Sequence, residues 1–198
     1  RETDVETNGC ELYANAKTDY INCRAVSGRK VDIHGAATIN LKLFCRKCKT
    51  IVSDIDDCNI EARRSTVPAT SPMGYAEKYL MIEEEIRIGD SQPPICNVLR
   101  TDANTLIRET KIINDKAVIK GEMSVCIIYC TENGNPQTVK TIIPFSQIID
   151  IDGITELCEC ETKSQLSSLE VKPKMTSGGE NKCFMLTAKI LLTAESYC

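Results

Sequence analysis

Twelve cysteines in 198 residues carry the richest chemistry in this chain. A thiol can close a disulfide, hold zinc or act as a nucleophile, and spacing separates these uses. Cys45-Arg46-Lys47-Cys48 is a C-x-x-C. Zinc needs four ligands, usually from a second closely spaced pair. Cys58 alone, or Cys158 and Cys160 around Glu159, do not supply that spacing. A redox pair needs a helix N-terminus after a strand in a βαβ context, which this pattern lacks. A structural disulfide or reactive surface thiols are the better reading, with no metal and no cofactor expected.

The other cysteines are sorted by the strands that must carry them. Over 116–130 the odd positions Ala117, Ile119, Gly121, Met123, Val125, Ile127 and Tyr129 are unbroken apolar, and the even row is mostly polar. Alternate side chains on a strand face opposite ways, so the odd row is core and Cys126 and Cys130 are wet. Four residues of extended chain span about 13 Å, beyond the roughly 7 Å that a disulfide bridges, so these two cannot pair with each other. Cys158 and Cys160 share a face and each needs a partner elsewhere. In 182–196, Cys183 falls outward by the same test. Cys198 ends the chain, where mobility is expected. The intersubunit thiols expected are Cys126, Cys130, Cys183 and Cys198, with Cys10 near the other terminus. Pairing between strands of one sheet stays open as the alternative.

Other chemistry finds little support. His34 is the only histidine and lies on a polar strand face, so it reads as solvated. Glu83, Glu84 and Glu85 read as a charged strand edge that discourages pairing. Asp150 and Asp152 lack the further oxygen ligands of a calcium loop, and a turn explains them better. Gly178-Gly179 is a turn signal.

Composition limits the classes further. Hydrophobic residues make up 42% and charged residues 26%, with no Trp and three Phe, so the core is aliphatic and globular. The net charge of −4 comes with no basic stripe interleaved with aromatics, which argues against nucleic acid as a partner. No run of about 18 apolar residues offers a membrane span. The chain opens at Arg1 without an apolar leader, so a signal peptide is expected to be absent or already removed, with processing or truncation ahead of Arg1.

The elements that position these thiols read as nearly all β. Strands are expected over 20–27, 30–45, 79–88, 106–113, 116–130, 137–145, 154–163 and 182–196, with a short helix over 95–100. Asn133-Gly134 carries a hairpin signal. The Pro-, Ser- and Thr-rich stretch 65–74 reads as a loop or linker. Residues 30–41 match 116–127 at an offset of 86, at a Lys, a Gly and several apolar positions. The expected fold is all-β: two related antiparallel β-sandwich or barrel-like modules, 1–66 and 79–198, around a linker at 67–78.

Within 116–156 the run Ile143-Pro144-Phe145-Ser146-Gln147-Ile148-Ile149-Asp150-Ile151-Asp152-Gly153 resembles the SPOCS domain, a spore-coat-associated family of endospore-forming Firmicutes. Pro93-Pro94-Ile95 with Leu99-Arg100, and the closing strand 182–196, are similar too, so the likeness covers about 79–198. Residues 20–45 resemble the closing strands of a preceding copy. The resemblance implies a structural or adaptor role without catalysis, at the spore surface (coat, exosporium or appendage), made in the mother cell. It also implies other spore-coat proteins as partners. Many members carry a peptidoglycan-binding LysM segment, which this chain lacks. With this many thiols the expected role is a self-assembling layer or fibre cross-linked between copies. The alternative is an adaptor for another coat morphogenetic protein.

Overall fold

The computed structural model describes residues 10–45, 50, 63, 70–175, 179 and 181–198. These form eight strands: β1 (Cys10–Ser27), β2 (Lys30–Cys45), β3 (Pro72–Arg87), β4 (Ile95–Ile113), β5 (Lys116–Thr131), β6 (Pro136–Asp150), β7 (Glu159–Lys174) and β8 (Cys183–Tyr197). No helix occurs among the described residues, and the fold is all-β with antiparallel sheets. The chain divides into two compact units, Arg1–Ser65 and Thr66–Cys198.

In the second unit, β5 and β8 are the central strands of two three-stranded sheets, ordered β4-β5-β6 and β3-β8-β7. The alternation read in the sequence decides which face goes inward. Ala117, Ile119, Met123, Ile127 and Tyr129 of β5 are fully buried, as are Phe184, Leu186, Ala188, Ile190, Leu192 and Ala194 of β8. The two rows join one aliphatic core, in which the Tyr129 and Phe184 rings meet edge-on with centroids 5.4 Å apart. Tyr129 Oη is buried without a hydrogen-bond partner. A buried orphan hydroxyl costs about 1–3 kcal/mol. Tyr129→Phe is therefore expected to raise stability by about 1 kcal/mol, read as a higher midpoint in urea.

The turns are built from residues that tolerate left-handed backbone. Asn114 and Asp115 (φ 37° and 61°) make the two-residue β4–β5 turn. Gly134 (φ 77°) turns β5 into β6, where the Asn-Gly signal stood. The Asp115 carboxylate accepts a hydrogen bond from Gly153 N at 2.8 Å, and Asp115 O accepts one from Ile151 N at 2.8 Å. These bonds tie the β4–β5 turn to the turn after β6, and Asp150 and Gly153 frame that second turn.

Three local expectations need correction. Residues 95–100 are strand. Bulges between Ile95/Asn97 and Val98/Arg100 each insert an extra residue, so inward Ile95, Val98 and Thr101 recur every third position and imitate helical spacing. β3 starts at Pro72, inside the stretch read as linker. β3 is an edge strand, and a first-residue proline there sacrifices no ladder bond. Residues 154–158 precede β7 as turn, and β7 runs on to Lys174. Its inward row mixes Cys160, Thr162 and Ser164 with Leu166, which hid the alternation.

In the first unit the described residues form one hairpin, β1–β2. Its register sets Leu12 opposite Leu43, Ala14 opposite Leu41, Ala16 opposite Ile39, Cys23 opposite Ile33 and Ala25 opposite Val31. Opposed residues share a face, so one face is apolar. It is also exposed, with Ile33 at 67% and Ile39 at 66%. The alternation read in 30–45 is thus present in β2, but its apolar row does not face a core among the described residues. The repeat at an offset of 86 extends to the pairing: Ile21↔Gly35 matches Ile107↔Gly121, and Ser27↔Lys30 matches Ile113↔Lys116.

Candidate cross-linking site

Among the described residues two disulfides close within the chain. Cys10 and Cys45 are the last opposed pair of the β1–β2 ribbon, with Cα atoms 4.2 Å apart. Cys158, in the turn before β7, is joined to Cys198 with Cα atoms 4.4 Å apart. Cys198 is further held by paired backbone hydrogen bonds to Ser71, at 2.8 and 3.0 Å. Cys10 and Cys198 were expected to reach other subunits. Both are instead engaged inside the chain: strand register brings Cys10 to Cys45, and the turn before β7 brings Cys158 to Cys198 just past the end of β8. Cys45 is likewise committed to Cys10, and its C-x-x-C neighbour Cys48 lies outside the described residues, as does Cys58.

Among the described residues six cysteines have no disulfide: Cys23, Cys96, Cys126, Cys130, Cys160 and Cys183. Cys183 was expected on the wet face, but it is only 2% exposed. Its parity is outward, yet β8 is a central strand, and Arg87 and Lys174 stand opposite it on both sides. Glu85, ion-paired with Lys174, lies 3.9 Å from the sulfur. Burial first, and then the Glu85 charge, push the Cys183 thiol pKa up. Cys160 is half-buried on β7, and burial raises its thiol pKa too. At neutral pH these two therefore hold less of the thiolate that exchanges with disulfides.

The remaining thiols are accessible. Cys126 and Cys130 lie on the outer face of the β4-β5-β6 sheet, partly exposed. Cys126 sits in an open groove between Asp102 of β4 and Lys140 of β6, its register partners, with Ser124 and Ile142 beside it. Arg100 pairs with Asp102 at 2.8 Å on the rim. Cys96 and Cys23 are exposed, and sequence reasoning had singled out neither. Cys96 was hidden in the stretch misread as helix. Cys23 belongs to the apolar row of β1, where a small thiol attracts no notice.

The motif strand explains its own sequence. Ile143 and Phe145 are buried inward-facing residues, while Pro144, Ser146 and Asp150 face out and Gln147 is half-buried. Phe145 stands opposite Gly121, and its ring occupies the place where a Cβ at Gly121 would go. Gln147 Nε2 donates to Ile148 O at 3.0 Å, and Lys78 Nζ donates to the same oxygen at 3.1 Å. Asp150 faces Lys116 at 3.9 Å. These contacts hold the fold together.

Residues 94–174, from the start of β4 to the end of β7, match the family model described as SipL, SPOCS domain. That stretch is similar to a SPOCS domain. The domain associates the protein with sporulation. No curated protein and no solved structure shows significant similarity to the chain. In the architecture here, β3 and β8 lie outside the matched SPOCS segment and complete its sandwich. Among the described residues no helix is long and apolar enough to cross a membrane.

Proposed function

We propose that this chain is a non-catalytic structural protein that assembles with copies of itself at the spore surface, in coat, exosporium or appendage, after synthesis in the mother cell. Disulfides between subunits lock the assembly. The observation that carries this reading is the sorting of the thiols: Cys23 and Cys96 are exposed and Cys126 and Cys130 lie partly exposed on an outer sheet face, while Cys183 is buried and Cys160 packs against the core. Internal disulfides such as Cys10–Cys45 also belong with an oxidising location, where further bonds persist. Each intersubunit bond forms as two thiols give up two hydrogens to oxygen, or exchange with a small-molecule disulfide. The exposed apolar face of β1–β2 adds a surface for association, since monomers rarely expose a contiguous apolar patch beyond a few hundred Å². That same face favours the second reading, an adaptor that docks another spore-coat protein.

Serine at Cys23, Cys96, Cys126 and Cys130 together is expected to abolish reductant-sensitive species above the monomer on gels. Serine at Cys160 and Cys183 should leave them unchanged. A ladder that survives the fourfold replacement would reject this assignment of the thiols.

A further inference from the structure

The open end of the first hairpin is closed by Cys10–Cys45. Applying the 86-residue offset to Cys10 lands on Cys96, the second residue of β4, at the open end of the repeated hairpin. The same offset takes Cys45 to Thr131, and a cysteine stands one residue away, at Cys130. The bulge accounts for that displacement. Ile95 pairs with Thr131 and Asn97 with Cys130, so Cys96 is the extra residue between two consecutive pairs.

A bulge sets two neighbouring residues of one strand against a single residue of the other. Burial agrees: Ile95 is 1% and Thr131 2% exposed, both facing the core. Cys96 and Asn97 are both exposed, and Cys130 is partly so. Cys96 and Cys130 therefore share the outer face of adjacent strands, displaced by at most one residue. Opposed Cα atoms in such ladders lie roughly 4.5–5.5 Å apart, inside the range a disulfide spans. The end they would clamp is also where the sheets meet, since Ile95 N donates to Asn181 O at 2.8 Å.

We infer that Cys96 and Cys130 close a further intramolecular disulfide, the counterpart in the second hairpin of the Cys10–Cys45 clamp. A small-molecule disulfide is a sufficient oxidant. The thiolate of one cysteine attacks it, forming a mixed disulfide and releasing one thiol. The thiolate of the other then attacks the protein sulfur of that mixed bond and releases the second thiol. One disulfide is reduced to two thiols as one forms in the protein. The inference rests on the reading that accessible thiols serve in disulfides, and it divides them. Cys96 and Cys130 turn to each other, and Cys23 and Cys126 are left for neighbouring copies. Cys126 does not compete for Cys130, from which it lies about 13 Å along the same strand.

The test is to incubate the full chain with glutathione disulfide, block remaining thiols and map unreduced peptides separately from monomer and ladder bands. The monomer is expected to yield a Cys96–Cys130 linked peptide in most chains, with Cys126 carrying glutathione. Cys96→Ser should shift Cys130 to the glutathione adduct, an increase of at least tenfold. Glutathione on both Cys96 and Cys130 in the unsubstituted chain, or linkage of either to another copy, would overturn the inference. A linked monomer without any ladder would uphold the clamp while rejecting cross-linked assembly, so the two readings fail separately.

Discussion

Gly121→Ala is expected to lower the stability of the second unit by about 3 kcal/mol, the upper end of overpacking costs. An added Cβ would sit 2.5 Å from Phe145 Cζ and 2.6 Å from the carbonyl oxygen of Leu106. The ring is buried in the core and cannot swing clear without opening a cavity. The carbonyl is backbone and can move only with its strand. For a chain of this size the melting temperature should fall by roughly 6–12 °C. Adding Phe145→Leu should recover less than half of the loss, because Leu106 O remains. Full recovery would mean that the ring alone imposes glycine. Gly35, the equivalent position in the first hairpin, offers a control. Its added Cβ would approach Tyr20 O at 3.1 Å with no aromatic ring opposite, so Gly35→Ala should cost about 1 kcal/mol or less.

Cys10→Ser is expected to unfold the β1–β2 ribbon while leaving the sandwich intact. Its disulfide closes a loop with a sequence separation of 35, and opening such a loop releases about 4 kcal/mol of denatured-state entropy. An isolated two-stranded hairpin is marginal in water, so little remains to oppose that loss. Hydrogen exchange should show amides of residues 10–45 losing protection, and those of β5 and β8 keeping theirs. Retained protection in the ribbon would show that something besides the clamp holds it.

Much of the fold was legible because alternation survives wherever one face is dry and the other wet. β5 is the clearest case, where the odd row found in the sequence is the buried row. Legibility failed where a local device altered the period or the surroundings. Two bulges in β4 spaced the inward residues in threes and made a strand look helical. Polar residues on the inward row of β7 erased its contrast. The site was legible in part for a related reason. Parity told which way Cys126, Cys130 and Cys183 point, but parity does not know that Arg87 and Lys174 flank Cys183. Nor can spacing along the chain show that Cys198 meets Cys158, a contact made only once β3, β7 and β8 align.

The cross-linking account is tested most directly by boiling the oxidised protein in denaturant and running it with and without reductant, beside negative-stain images of the native sample. The account predicts a ladder or well-trapped material that collapses with reductant to a single band at the chain mass of 21.9 kDa, and ordered sheets or fibres in the images. A single monomer band under both conditions, with no ordered particles, would contradict it and leave the adaptor reading.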